Sequence, residues 1–217
     1  VMMNGGVLMS EVQVHDTAGH SSSEPLRVAL LGCGTVGSQV ARMILTRGDD
    51  IIARVGRPLE IAGISVAHVD RPRQGLDSRL FTTDSAALVS RPDVDIVVEL
   101  MGGIDPARGL IRSALESGKS VVTANKALLA EYTGELATAA ADAKVDLYFE
   151  AAVAGGVPIV RGLRDLVRVD HVHTVEGILN GSCNYILTAM SEGTDYETVA
   201  ARAQARGPPF TVASSST

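Results

Sequence analysis

The chain has no tryptophan, and aromatics of any kind make up 3% of its 217 residues. A core without large rings has to be built from Val, Ile, Leu and Ala, the residues of a parallel sheet buried on both faces. Those residues are abundant: 46% of the chain is hydrophobic. Cysteine is nearly absent. Cys33 and Cys183 stand far apart with no Cys-x-x-Cys spacing, so neither a disulfide framework nor a zinc site is indicated, which fits a reducing cytoplasm. Sustained basic stretches are missing too. The net charge is −6, which argues against nucleic acid as the main partner, although local amides and a few arginines still suffice for a small anionic cofactor. No apolar run approaches the ~18 residues of a membrane span. Residues 1–24 lack periodicity, and VMMNGGVLMS lacks the basic start and continuous apolar centre of a signal peptide. The segment reads as a disordered leader. The length allows one large domain or one and a half average ones.

What is present is organised around Leu26–Gly37, LRVALLGCGTVG. A short apolar run stops in Gly32-x-Gly34-x-x-Gly37, and a helical pattern follows with Val36, Val40, Met43 and Ile44 on one face. That is the strand–turn–helix opening of a dinucleotide-binding unit. Gly32 allows the tight turn, Gly34 lets the backbone approach a pyrophosphate, and Gly37 lets the helix pack against the strand. The amides at the start of the helix, from Thr35 and Val36 onward, then face the phosphates.

Further strands are predicted at Leu59–Val66, Asp93–Leu100, Lys119–Ala124 and Val145–Glu150, and helices at Asp84–Ser90, Asp105–Ser117 and Ala127–Ala143. Pro106 near the start and Gly118 at the stop mark one of those helices. Five alternations of strand and helix define an α/β class with a doubly wound parallel sheet. After Glu150 the pattern changes. AAVAGGVPIV is a glycine-broken loop running into a helix, His171–Leu179 has the alternation of a strand, and Gly181–Met190 is helical. Thr194-x-x-Glu197 is a capping box for a last helix to about Arg206. The domain reading is therefore 1–24 leader, 25–150 dinucleotide-binding domain, 151–207 the start of a smaller α+β domain, and 208–217 a tail without pattern.

Ligands of open α/β sheets bind outside the carboxyl ends of the strands. The polar residues expected there are Thr123, Asn125, Lys126 and Glu150. Lys126 could polarise a carbonyl or hold a substrate charge, or it could be a surface lysine capping a loop; spacing does not choose. The second strand ends in Ser65 and Val66 with Arg71 and Arg73 beyond, where an NAD site would carry an acid. Two arginines there favour a 2′-phosphate, hence NADP; the alternative is a pair of solvated loop arginines. Cys183, near a helix start, has the setting of a stabilised thiolate, but no His stands as an obvious base, and a small packed residue is the plainer reading. His171 and His173 share a strand face without a third ligand, as a solvent-facing pair would. Met43, Met101 and Met190 read as packing residues.

VALLGCGTVG, DIVVELMGG, SVVTANKALLA, YFEAAVAGGVPIV and GILNGSCNYILTAM occur in this order, and together they resemble the homoserine dehydrogenase family from about Arg27 to Gly207. The resemblance implies a Rossmann-like NAD(P)-binding domain followed by the beginning of a substrate and dimerisation domain. It also implies interconversion of L-aspartate 4-semialdehyde and L-homoserine, on the route to threonine, methionine and isoleucine. Gly32, Gly34, Thr35, Val36, Gly37, Arg71, Arg73, Thr123, Lys126 and Gly207 would bind NADP, or NAD, and Lys126 would sit between nicotinamide and substrate. Glu150, with the carbonyls of Val153, Gly155 and Val157, would match the family's sodium-binding loop, since oxygen ligands suit a hard cation. The full-length form would be a homo-oligomer with no nucleic-acid or membrane partner. An alternative is an NADP-binding module without turnover; another is a semialdehyde dehydrogenase working through Cys183.

The family continues after this point with Gly-Tyr-x-Glu-x-Asp-Pro and then an Asp and the proton-donating Lys. Here Gly207 is followed by Pro208, Pro209 and Phe210, with Phe210 where the substrate-binding Glu would stand. The expectation is an amino-terminal half that binds cofactor and does not turn over substrate.

Overall fold

Leu26–Leu31 (β1) points alternate side chains to opposite faces, and both faces are covered. Ala29 and Leu31 enter one apolar cluster and Val28 and Leu30 the other, as period-2 geometry requires. The computed structural model describes residues 24–155, 157–177 and 181–205. Except for Glu24, the leader lies outside the described residues, as do Gly207 and the tail.

Around β1 runs a six-stranded sheet: β2 (Leu59–Ser65), β3 (Phe81–Thr82), β4 (Ile96–Glu99), β5 (Ser120–Thr123) and β6 (Leu147–Tyr148). Its order is β3-β2-β1-β4-β5-β6 and every pairing is parallel. This is the doubly wound, Rossmann-like arrangement, with the order reversing beside β1. On one face lie α3 (Ser85–Ser90), α4 (Ala107–Glu116) and α5 (Lys126–Ala143), which seat Leu88, Ile111, Leu115, Leu128 and Leu136 against Val97 and Val121. On the other, α1 (Thr35–Thr46) packs Ala41, with Val40 and Ile44 partly buried, on Leu30 and Ile64. Burying one such leucine or isoleucine contributes about 1.5–3 kcal/mol.

Several expectations need correction. Val36 and Met43 of α1 are exposed (58% and 50%), because close packing at Gly37 and Ala41 turns the helix so that these two face outward. Met101 and Met190 are also exposed, not packed. The alternation has six strands: β3 is two residues long, too short for a pattern, and joins by pairing Ile64 with Phe81 and Ser65 with Thr82. A helix, α2 (Gly48–Val55), fills the stretch before β2. It buries no residue fully: Ile51 is half-buried, and Ile52 and Val55, the second at helical spacing from it, are exposed. Local devices hold it: Asp49 and Asp50 in its first turn, Arg54 in its last, and a left-handed Gly56 whose amide donates to Ile52 O at 2.8 Å.

Beyond Glu150 come α6 (Ile159–Leu166), α7 (Gly181–Ser191) and α8 (Tyr196–Ala205). Residues 171–177 form no strand and are exposed; positions 178 and 179 lie outside the described residues. Alternation alone does not make a strand, which needs a neighbour for its amides and carbonyls. The cap of α8 is Asp195 in place of Thr194: its carboxylate accepts from Thr198 N at 2.9 Å. That contact and the adjacent amides hold the Asp195 pKa below its ordinary value. Ile186, Val199 and Ala203 form the small core of the α7–α8 hairpin. No helix among the described residues is long and apolar enough to cross a membrane.

Candidate cofactor site

The glycine turn is built so that side chains cannot enter it. Gly32 has φ +100, and a Cβ there would lie 2.8 Å from the Leu100 carbonyl oxygen. A Cβ at Gly37 would run into the Gly32 carbonyl oxygen. At Gly34, by contrast, nothing lies within 4 Å of that position, so the turn is open on the side where the helix begins. Gly34 is the N-cap of α1 and supplies no side-chain cap, and the first turn holds no acid. The first amides of a helix have no partner within it, so Thr35, Val36 and Gly37 present donors to whatever anion arrives, and the helix dipole favours one. These residues fit a pyrophosphate.

A second edge of positive charge stands beside the turn. Arg73 lies over the Phe81 ring at 4.9 Å from its centroid, and its Nε donates to Cys33 O at 3.4 Å. Its Nη1 donates to His68 O (3.2 Å) and Arg71 O (3.0 Å). Arg71 is exposed, and with Arg73 and Phe81 it lines a cavity of about 630 Å³. Arg42, on α1, donates from Nη2 to Gln74 O at 2.9 Å and so reaches the same loop. Burial pushes the Cys33 thiol pKa up, opposed in part by the Arg73 and Arg42 charges. Arg42 is absent from the sequence reading; its position two turns past Gly34 was the available signal. Ser65, at the tip of β2, is buried and hydrogen-bonded to Ser85 Oγ at 2.5 Å.

The carboxyl ends of β4 and β5 carry a buried polar network. Glu99 is fully buried. Its Oε1 accepts from Met101 N (2.8 Å) and Gly102 N (3.1 Å), and its Oε2 from Thr123 Oγ1 (2.6 Å). Thr123 Oγ1 in turn accepts from Asn125 N at 3.0 Å. The Asn125 side chain caps α5, accepting from Leu128 N (3.1 Å), and donates to Gly103 O (2.5 Å). Glu99 was missed in the sequence because a lone acid at a strand end has no distinguishing spacing.

Lys126 is exposed at the first position of α5 and lines a cavity of about 380 Å³ with Leu129, Phe149, Val153 and Ala154. A cation at a helix N-terminus costs roughly 0.3–1 kcal/mol, so stability does not explain this lysine.

Glu150 stands in a 3-10 turn (Glu150–Ala152) after β6, and its carboxylate accepts from Val160 N and Arg161 N, both at 2.9 Å. It caps α6. Val153 donates its amide to the Glu150 carbonyl (3.2 Å), Gly155 has φ +62, and Val157 is exposed. The candidate groups thus assemble at three places: the turn with its arginines, the Glu99–Asn125 network with Lys126, and the Glu150 loop. Cys183 sits exposed in the first turn of α7, on the hairpin and not on the sheet. His171 and His173 are exposed, and among the described residues no group of three or more His, Cys, Asp or Glu could hold a metal ion.

Comparison with known proteins adds a consistent set of likenesses. Residues 32–150 match the family described as "Homoserine dehydrogenase, NAD binding domain", and residues 158–209 match "Homoserine dehydrogenase". The chain is 55% identical over 185 residues to the homoserine dehydrogenase of Mycobacterium tuberculosis, covering 85% of this chain and 42% of that protein. A solved homoserine dehydrogenase from Thiobacillus denitrificans superposes with TM-score 0.78 at 39% identity, over 88% of this chain and 44% of that one. A hyperthermophilic archaeal homoserine dehydrogenase, solved in complex with NADPH, gives TM-score 0.69 at 25% identity, over 85% of this chain and 62% of that one. The chain spans about two fifths of the length of the curated relatives it matches.

Proposed function

The chain belongs to the homoserine dehydrogenase family, and from that premise we propose that it binds NADP as the amino-terminal part of an enzyme that interconverts L-aspartate 4-semialdehyde and L-homoserine. The observation that carries the reading is the uncapped start of α1 behind a turn that admits no side chain at Gly32 or Gly37 and stands open at Gly34. The amides of Thr35, Val36 and Gly37 hold the pyrophosphate there. Arg73, stacked on Phe81, and the exposed Arg71 hold the 2′-phosphate, with Arg42 adding charge to the same edge. An archaeal relative described as an NADPH complex supports the same choice. When bound, the nicotinamide supplies or accepts the hydride.

Lys126 projects from the start of α5 beside the carboxyl ends of β4 and β5. Its ammonium meets the substrate's carbonyl or hydroxyl oxygen and steadies the charge that grows on it, and α5's dipole adds to that field. Thr123, whose hydroxyl is committed to Glu99, supports the cofactor crevice from beneath. A sodium ion at the Glu150 loop would be met by main-chain carbonyls such as those of Val153, Gly155 and Val157, because the Glu150 carboxylate already serves two amides. A cytoplasmic setting and a homo-oligomeric full-length form complete the proposal.

The test is titration of NADPH and NADH by cofactor fluorescence, on the wild type and on Arg73→Ala. NADPH should bind the wild type more tightly, and loss of a charge-assisted phosphate contact should cost about 1.5–3 kcal/mol. The NADH affinity should change little. Equal affinities in the wild type, or tighter NADH, would overturn the NADP assignment.

A further inference from the structure

We propose that Glu99 is a positioning residue whose buried carboxylate, through Thr123 and Asn125, fixes where Lys126 stands. The inference rests on the reading of Lys126 as the group that meets nicotinamide and substrate. Glu99 is fully buried, and the groups donating to it are two amides and one hydroxyl, all neutral. A carboxylate so enclosed is costly unless hydrogen-bonded, yet it sits at the end of a central strand with an acceptor role no neutral side chain fills equally. Its Oε1 folds the loop after β4 back on itself. Its Oε2 fixes the Thr123 hydroxyl as a donor, which leaves the lone pairs of Thr123 Oγ1 facing Asn125 N.

The hydrogen bonds therefore run in one direction, from the Asn125 amide to the Thr123 hydroxyl to the carboxylate, and each polarises the next. Asn125 is the point of delivery. Its side chain both caps α5 and grips Gly103 O, so the residue after it, Lys126, begins the helix at a place set by the network. Gly32 leans on the same loop through Leu100, which ties the phosphate end of the crevice to its lysine end. Glutamine at 99 would keep one oxygen for the loop amides but would turn an amide donor toward Thr123 Oγ1. The hydroxyl would lose its acceptor.

The protein carries only the lysines Lys119, Lys126 and Lys144, so reductive methylation with 13C gives few signals and keeps each charge. Lys144, at the opposite end of α5, serves as the internal control. In the ligand-free protein, Glu99→Gln and the nearly isosteric Thr123→Val should move the Lys126 resonance toward that of Lys144. Thr123→Ser, which keeps the hydroxyl, should leave that resonance where it was. Circular dichroism and the melting temperature report folding separately, and Thr123→Val carries the test if Glu99→Gln fails to fold. An unchanged Lys126 signal in folded Glu99→Gln or Thr123→Val would overturn the inference. Saturating NADPH is then added to the wild type. A Lys126 signal that does not respond would instead overturn the cofactor reading of Lys126, whatever the variants do.

Discussion

Residues 24–155 and residues 157–205 are comparable in apolar content and opposite in what they do with it. In the first stretch each strand meets a neighbour and a covering helix, and the sheet is packed on both faces by two clusters. In the second, the α7–α8 hairpin buries Ile186, Val199 and Ala203, while Val157, Leu166, Val167, Val169 and Leu187 are exposed, Val169 at 83%. Hydrophobic residues do not make a core by number. They make one when the elements that carry them are each other's partners. The parallel sheet supplies those partners one crossover at a time; α6 and the 167–177 segment, within the described residues, do not receive them.

The contrast is broken most directly by a cavity. Ile111→Ala in α4 removes a fully buried side chain from the larger cluster and should destabilise the sheet by about 2–5 kcal/mol. Val199→Ala, in the hairpin, should leave the denaturant midpoint of the sheet unmoved. Hydrogen exchange resolves the two: amides of β1 and β4 should lose protection in the first variant and keep it in the second. Loss of protection throughout the sheet in Val199→Ala would mean that the regions fold as one unit.

A smaller effect is acid-dependent. Bidentate hydrogen bonds from Arg91 hold the Asp93 pKa down to about 2, with Arg27 adding its charge. A folded pKa below the ordinary 3.8 contributes stability that is present above that value and lost as pH falls through about 2. Both partners are partly solvated, which limits the pair to about 1 kcal/mol or less. Asp93→Asn should therefore be slightly less stable than wild type at neutral pH, with the difference shrinking as pH falls toward 2, by urea unfolding at each pH. The smallest effect belongs to Asp195. Asp195→Ala should speed exchange at the Thr198 amide and fray α8, with no change in β1 or β4.

What the sequence disclosed follows the same division. The turn from Gly32 to Gly37, the strands β2, β4, β5 and β6 after it and α4 and α5 were legible because their signals are local: glycine chemistry, a proline, apolar runs. α2 was not, since its apolar residues Ile51, Ile52 and Val55 span barely two turns and stay largely exposed. β3 exists only as a partner of β2. Asp195 and Thr194 are adjacent candidates for one cap, and only geometry chose between them. Over His171–Gly177 the expected strand is absent: Val172 and Val175 are three residues apart, and no neighbouring strand among the described residues takes up the backbone. Among the site residues, Arg71, Arg73, Lys126 and Glu150 stood out by position along the chain. Arg42 and Glu99 act across it, by reaching a loop 32 residues away and a threonine 24 residues away, and no spacing rule contains such contacts.

The clasp between Glu150 and the first turn of α6 has a consequence for chain entropy. By gripping the amides of Val160 and Arg161, the carboxylate closes the intervening stretch into a small ring without a covalent bond. The loss of freedom in such a ring grows only slowly with its length, about 0.6 kcal/mol for each doubling. The direction in which α6 leaves the sheet is therefore set by a carboxylate and two amides, not by the number of residues between them. The loop can lengthen or change composition and still deliver the helix to the same place, provided the acid at its entrance is kept.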